Sequence, residues 1–236
     1  MARIDGRQPA DMRDVTIEAD SFRKNDALIS CGATKVLCYA SVEERVPGWL
    51  AGAGAGWLTA EYSMLPSAGD PRQNRERRAL SGRTQEIQRL IGRSLRAALD
   101  LAMLPPMTIH IDCDVIVADG GTRTASVTGG MVALANLVAT EQHRFRGNPL
   151  QCLAAAVSVG IVDGEPRLDL NYVEDRDAEV DANVIGLSTG GFAEIQATNE
   201  HGAFNREHLD GMLDLAQNAL DRLFDLQRQH ISAKLL

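Results

Sequence analysis

The sequence has no long hydrophobic run and few cysteines. No apolar stretch approaches the roughly 20 residues of a membrane-spanning helix, and the N-terminal segment has no apolar signal core. The four cysteines among 236 residues are too few for a disulfide framework and show no CxxC spacing of the kind that binds metals. We therefore expect a soluble cytoplasmic protein with no membrane partner and with reduced, mostly buried thiols.

Two common classes of catalytic motif are also missing. The glycine pair Gly120-Gly121 is followed by no Gly-Lys-Ser/Thr sequence and does not have the glycine spacing of the dinucleotide fingerprint. The five histidines lie in unrelated contexts and support no Ser–His–acid arrangement: His110, His143, His201, His208 and His230. The sequence therefore predicts neither a Walker A nucleotide site nor a catalytic triad.

Lysine is absent from the arginine-rich segment 72–96. The whole chain carries a net charge of −8, which by itself disfavours a polyanionic partner. The segment nevertheless contains eight arginines and two glutamates, so its local net charge is +6. Because guanidinium groups make forked contacts with phosphates, this distribution favours a phosphate-bearing partner in spite of the net charge.

The composition is that of a globular protein. With 44% hydrophobic residues, the chain can bury a sizeable core. No proline-rich or serine-rich linker divides it. We expect a single domain, 1–236, made of two closely packed halves, approximately 1–145 and 146–236.

Hydrophobic periodicity predicts a mixed α/β fold. Apolar residues with strand spacing predict strands or hairpins at 27–42, 107–117, 154–162 and 183–197. Helical stripes predict three helices: from about 84 to 102, from near 124, and after a cap at Asn205. The order β-rich, α, β, α, β-rich, α is typical of a layered domain in which helices cover a sheet.

The segment 119–126 joins the predicted strand at 107–117 to the helix that follows it. Gly120-Gly121 forms the join, and Arg123 lies close after it. Backbone N–H groups at a helix start and a guanidinium would converge there on one point, which favours a phosphate. The alternative is a tight turn beside a solvated arginine, since glycine marks turns generally. The motif alone does not decide between these interpretations.

Arg83 lies at the start of the predicted helix 84–102. Ser81 or Thr84 can cap this helix. A cation is unfavourable at a helix N-terminus because of the helix dipole, and a bound anion would compensate for it. The alternative is a surface arginine that costs a few tenths of a kcal/mol.

The segment 174–181 is acidic. It contains Asp175 and Asp181 together with Glu174, Asp177 and Glu179. Such hard oxygen ligands suit Mg²⁺, which usually takes one or two protein carboxylates together with waters and phosphate oxygens. The alternative is a solvated acidic loop.

A series of sequence motifs covers nearly the whole chain in the order of one known family. The motifs lie at 3–7, 34–38, 56–66, 82–93, 112–115, 118–126, 156–160 and 172–175. Together they closely resemble the ribonuclease PH family of phosphate-dependent tRNA 3′-end exoribonucleases. Asn171 stands where an acidic residue is common in that family.

The resemblance implies roles for the residues singled out above. Arg83 and the turn Gly121-Thr122-Arg123 would hold the attacking inorganic phosphate. Asp175 and Asp181 would be the catalytic carboxylates and would act through Mg²⁺. A loop of arginines would bind RNA: Arg72, Arg75, Arg77 and Arg78.

The resemblance also implies the fold and the partners. The fold would be the βαβα unit shared with a ribosomal-protein domain, assembled as a hexamer, a ring of three dimers. The substrates would be tRNA precursors and other RNA 3′ ends, including rRNA. Inorganic phosphate would be the co-substrate of a reversible nucleotidyl transfer.

Two other functions remain open. A non-catalytic RNA-binding ring subunit could have the same fold, although the presence of both arginines, Arg83 and Arg123, with both aspartates argues against it. A hydrolytic ribonuclease could use the same carboxylates and metal, but two phosphate-directed arginines would then be superfluous.

Overall fold

The computed structural model describes residues 3–76, 79–199, 202–233 and 235. One sheet has five strands in the order β1-β2-β3-β5-β4, in which only the β4–β5 pair is parallel. The strands are β1 Val15–Ala19, β2 Asp26–Cys31, β3 Thr34–Glu43, β4 Trp57–Met64 and β5 Thr108–Val117. This sheet is therefore mixed, as the sequence predicts.

A second sheet follows in the C-terminal half. Its four strands are antiparallel, in the order β7-β6-β8-β9. They are β6 Ala154–Val162, β7 Glu165–Leu168, β8 Val180–Leu187 and β9 Phe192–Asn199. The helices are α1 Gly82–Ala97, α2 Thr122–Thr140, α3 Tyr172–Asp177 and α4 Arg206–Arg228.

Helix α2 lies at the centre of the molecule. It packs against β2 and β3 of the first sheet and against β6 of the second. A Cβ atom on Gly129 would lie 2.8 Å from a side-chain carbon of Ile29, so only glycine permits this close approach. Helix α2 is consequently packed closely between the two sheets.

The other long helices cover the outer faces. Helix α1 packs on β4, and α4 packs on β6 and β7. The connection β4–α1–β5 links two parallel neighbours, as a helical crossover must. Gln227 of α4 donates hydrogen bonds of 2.9 Å to the carbonyls of Thr128 and Ala154, which ties α4 to both α2 and the second sheet.

The α/β fold class predicted from periodicity is confirmed, with corrections at element ends. Helix α1 ends at Ala97, not near 102, because Asp100 caps a short 3₁₀ turn, Leu101–Met103, before the prolines. Val117 is 37% exposed, since β5 ends there. The division into two closely packed halves stays a prediction.

The cysteines agree with the expectation of mostly buried thiols. All four cysteines are free, and three of them are buried. In the described ranges, no helix is long and apolar enough to cross a membrane.

Candidate active site

A cleft of about 1120 Å³ brings together all the predicted site residues that the structure describes. Its lining includes Arg72, Arg75, Arg83, Gly121, Thr122, Arg123, Asp175 and Asp181. These residues come from the loop before α1, the starts of α1 and α2, helix α3 and strand β8. Arg77 and Arg78 lie outside the described residues.

The glycine turn between β5 and α2 has a backbone that only glycine adopts easily. Gly120 and Gly121 have φ angles of +74° and +69°, in the left-handed region. A Cβ atom on Gly120 would lie 2.5 Å from the carbonyl oxygen of Leu170. The turn therefore passes directly against the backbone that leads into α3, which brings the start of α2 close to that helix.

The start of α2 is suited to an anion. Gly121 is the N-cap, and among the described residues no side chain caps the first turn. The backbone N–H groups of that turn are among the four that a helix leaves without an internal partner. Thr122 is held by a 2.8 Å hydrogen bond between its hydroxyl and that of Tyr62 on β4. The turn thus presents donors and a partial positive charge to the cleft.

The carbonyl oxygens of the same turn are bound on its other side. The hydroxyl of Thr34 donates to the carbonyl of Gly120 at 2.7 Å and accepts from the N–H of Asp119 at 2.9 Å. The guanidinium of Arg13 donates to the carbonyl of Asp119 and, at 3.4 Å, to that of Gly120. Because these lone pairs are engaged behind the turn, they do not oppose an anion bound in front of it.

Arg13 is itself fixed by Asp169. Its guanidinium makes hydrogen bonds of 2.7 and 2.8 Å to the two carboxylate oxygens, and its backbone N–H makes another of 2.8 Å. Burial alone would raise the pKa of Asp169, but these hydrogen bonds and the charge of Arg13 lower it below its usual range. The turn therefore rests on a buried ion pair that joins the N-terminal segment to the second half.

Two arginines stand at two helix starts in the cleft. Arg83 is the second residue of α1, whose N-cap Ser81 accepts from the N–H of Thr84 at 3.1 Å. Arg123 is the second residue of α2, and its side chain is 17% exposed. The nearest carboxylate oxygen to its guanidinium, on Glu86, is 3.9 Å away. Both cations occupy positions that a bound anion would stabilise.

Asp175 on α3 and Asp181 on β8 line the same cleft. Burial within the cleft raises the pKa of Asp175 although its side chain is solvent-accessible, and the negative charge of Asp181 raises it further. Arg123 and Arg83 act in the opposite direction. The charges of Asp181 and of both arginines therefore act on the carboxylate of Asp175.

This pair fits a magnesium ion. Mg²⁺ is bound through one or two carboxylates, with waters and phosphate oxygens as the remaining ligands. A cation between Asp175 and Asp181 would relieve their repulsion. Among the described residues, no cluster of three or more His, Cys, Asp or Glu side chains offers a complete protein cage.

Helix α3, which carries Asp175, is short and is held by a second buried ion pair. The capping box joins Asn171 and Glu174 in both directions. Arg3 makes a bidentate contact with Glu174, with N–O distances of 2.9 and 2.7 Å. Asn171 thus serves as a helix cap, a role in which Asn and Asp are equivalent, so its departure from the family pattern leaves the helix start intact.

The cleft also has an acidic wall. Asp112 and Asp114 of β5 and Glu61 of β4 line it. Burial raises the pKa of Asp112 and of Asp114, and the charge of Glu61 contributes to both shifts. Arg75 lowers the pKa of Asp114. Part of the positive charge of the arginine loop is therefore balanced inside the cleft.

Sequence reasoning missed the residues that support the site from behind. Arg13 and Asp169 were assigned no role, and Glu174 was considered only as part of the acidic segment 174–181. The pairs Arg13–Asp169 and Arg3–Glu174 join residues more than 100 positions apart along the chain. Thr34 lies in one of the family motifs, but nothing in its local pattern points to the glycine turn. Arg3 and Arg13 are almost fully buried, which nothing in their own segments indicates.

Comparisons with known proteins identify the family of the chain. The models for domains 1 and 2 of the 3′ exoribonuclease family match residues 11–139 and 152–219. The chain is 51% identical to ribonuclease PH of Crocosphaera subtropica, with 98% of each chain covered. It is 54% identical to ribonuclease PH of Mycobacterium leprae, covering 98% of this chain and 92% of that one.

Solved structures with low sequence identity share the fold. Rice Rrp46 is 19% identical with a TM-score of 0.76, covering 99% of this chain and all of that one. A chain of the Archaeoglobus fulgidus exosome with RNA bound to the active site is 19% identical with a TM-score of 0.79, covering 94% and 91%. Because the family models match most of the chain and the relatives are more than 50% identical over nearly its full length, the chain belongs to the 3′ exoribonuclease family.

Proposed function

We propose that this chain is a phosphorolytic 3′→5′ exoribonuclease, a nucleotidyltransferase that trims tRNA precursors with inorganic phosphate. The observation that carries the proposal is the convergence in one cleft of an uncapped helix start, two arginines and two neighbouring carboxylates. The relatives named ribonuclease PH, at 51% and 54% identity over nearly the full chain, support the same activity.

In this proposal the phosphate is the nucleophile. The N–H groups of the Gly121–Arg123 turn and the guanidinium groups of Arg83 and Arg123 hold it in line with the last phosphodiester bond. One phosphate oxygen attacks the phosphorus of that bond, and the bond to the 3′ oxygen of the penultimate nucleotide breaks. The proton that the phosphate loses is balanced by the new 3′ hydroxyl, and the product is a nucleoside diphosphate.

The carboxylates complete the site. Asp175 and Asp181 would hold a Mg²⁺ ion, which would supply neutralising charge for the phosphoryl oxygens. Arg72 and Arg75 lie on the same cleft and would bind the phosphates of the RNA upstream of its 3′ end. The same role for Arg77 and Arg78 is a proposal from the sequence only.

The proposal extends to assembly, location and substrate range. A hexameric ring of three dimers would act in the cytoplasm on tRNA precursors, rRNA and other RNA 3′ ends. The glycine–tryptophan segment 48–58, in which Trp49 is exposed, and the arginine loop are the candidate subunit contacts. Light scattering coupled to gel filtration tests the hexamer: six times 25.5 kDa is expected, and a monomer would contradict it.

One experiment separates the three candidate functions. A tRNA with a 3′ extension is incubated with Mg²⁺, with and without inorganic phosphate, and the released nucleotides are identified. Diphosphates that appear only with phosphate are expected. Monophosphates released without phosphate would indicate hydrolysis, and RNA binding with no release would indicate a non-catalytic subunit.

A further inference from the structure

The cleft contains one large aromatic ring that is open to solvent. Among the described residues, four aromatic side chains are strongly exposed: Phe22, Trp49, Tyr172 and Phe192. Of these four, Tyr172 alone lines the cleft, and it is 49% exposed. The other tyrosine of the cleft, Tyr62, is 4% exposed and its hydroxyl is bonded to Thr122. Tyr172 is therefore the aromatic ring of the cleft that a ligand can reach.

The backbone of Tyr172 is fixed against the glycine turn. Its N–H group donates to the carboxylate of Asp119 at 3.4 Å. A Cβ atom on Gly120 would lie 2.9 Å from the same nitrogen, so the turn and the first residue of α3 are in direct contact. The ring is consequently attached at the phosphate-binding end of the cleft.

Tyr172 also shares a helix face with a catalytic carboxylate. Asp175 follows it by three residues within α3, a spacing that places two side chains about 5–6 Å apart at their Cβ atoms. A nucleotide whose 5′ phosphate reacts beside Asp175 would therefore have its base within reach of the ring.

We infer that Tyr172 stacks on the base of the 3′-terminal nucleotide of the RNA, an inference that rests on the proposed function. The terminal nucleotide is the one nearest to the attacking phosphate, and the ring lies at that end of the cleft. Upstream nucleotides would lie towards Arg72 and Arg75 of the arginine loop. Stacking suits an enzyme that removes successive nucleotides of any sequence, because every base has a π-face.

The ring is tested with two substitutions and a matched control. Tyr172→Ala removes the ring, Tyr172→Phe keeps it without the hydroxyl, and Phe22→Ala removes an exposed ring that does not line the cleft. We expect Tyr172→Ala to raise the KM for RNA roughly 5- to 150-fold, as the loss of one base–aromatic stack does. Tyr172→Phe and Phe22→Ala should retain the wild-type KM, and the KM for phosphate should not change in any variant.

A substrate without the terminal base identifies the stacked nucleotide. RNA with an abasic 3′-terminal nucleotide should bind wild type and Tyr172→Ala equally weakly. RNA with an abasic penultimate nucleotide should still distinguish the two proteins. The inference is overturned if Tyr172→Ala binds normal RNA like wild type, if Tyr172→Phe is as impaired as Tyr172→Ala, or if only the penultimate abasic site removes the difference.

The binding is measured by fluorescence anisotropy without phosphate, alongside phosphorolysis rates. If wild type releases diphosphates and Tyr172→Ala binds RNA normally, the inference fails and the proposed function stands. If wild type binds RNA more tightly than Tyr172→Ala does but no diphosphate is released, the proposed function fails and the stacking site stands. Wild type that binds no RNA contradicts both.

Discussion

The hydroxyl of Thr34 should control phosphate binding although it lies behind the site. Thr34→Val keeps the shape of the side chain but removes the 2.7 Å hydrogen bond to the carbonyl of Gly120 and the 2.9 Å bond from the N–H of Asp119. With about 0.5–1.5 kcal/mol for each bond, the ordered turn loses about 1–3 kcal/mol. Among side-chain donors of the described residues, the carbonyl of Gly120 then retains the 3.4 Å contact from Arg13.

This loss should appear mainly in phosphate binding. If the whole penalty falls on the binding-competent turn, the KM for phosphate rises about 5- to 150-fold. The assay is the initial rate of diphosphate release at saturating RNA over a phosphate titration, together with denaturant unfolding of each variant. Thr34→Ser keeps the hydroxyl and should restore a near-normal KM. A Thr34→Val protein that is less stable but has an unchanged KM for phosphate would refute the idea that the turn is held from behind.

Three further predictions concern the same supports. Arg123→Ala should abolish measurable phosphorolysis but leave RNA affinity in anisotropy largely intact; an equal loss of both would contradict the separate roles proposed for Arg123 and the arginine loop. Gly164→Ala should cost about 1 kcal/mol because Gly164 has a positive φ. Gly120→Ala should cost several times more, because Gly120 also has a positive φ and has a carbonyl oxygen 2.5 Å from the added carbon. Equal unfolding midpoints for the two variants would contradict the close approach. Asp169→Asn should cost about 3–5 kcal/mol near neutral pH by breaking a buried ion pair. Because the folded protein lowers the pKa of Asp169, its contribution is fully present above the ordinary value of 3.8 and is lost as the pH falls through the folded value. The stability difference between wild type and variant should therefore shrink in acid, and a difference that is constant down to pH 2 would contradict this.

The fold could be predicted where a continuous apolar run or a regular apolar stripe marks the element. β6 lies at Ala154–Val162 and the last helix follows the cap at Asn205, as predicted. In both long segments, the positions of the apolar residues follow from which side chains are buried. The predicted end of α1 was wrong because Asp100 caps the following 3₁₀ turn and so ends the helix. The apolar stripe does not reveal this local competition.

The site itself was foreseen only in part. Arg83, Arg123, Asp175 and Asp181 were named from helix starts, from an acidic stretch and from the family resemblance, and the structure brings them into one cleft. Their roles stay predictions. No periodicity could have shown that the acidic stretch begins as a capped helix, α3, held by Arg3 from the other end of the chain.

The supporting ion pairs could not be read from the sequence for a physical reason. Arg13 and Asp169 are 156 positions apart, and each looks like an ordinary surface charge in its own segment. Their partnership arises only when the second sheet docks on the N-terminal segment. Burial of two charges is tolerated there because every contact is charge-assisted.

The most direct test of the central claim follows the phosphorus of free phosphate. RNA is incubated with the protein, Mg²⁺ and ³²P-labelled inorganic phosphate, and the released nucleotides are separated. If the Gly121–Arg123 turn holds the nucleophile, the label appears in the β-phosphate of nucleoside diphosphates, and Arg123→Ala shows no such product. Unlabelled nucleoside monophosphates, released at the same rate without phosphate, would contradict the account.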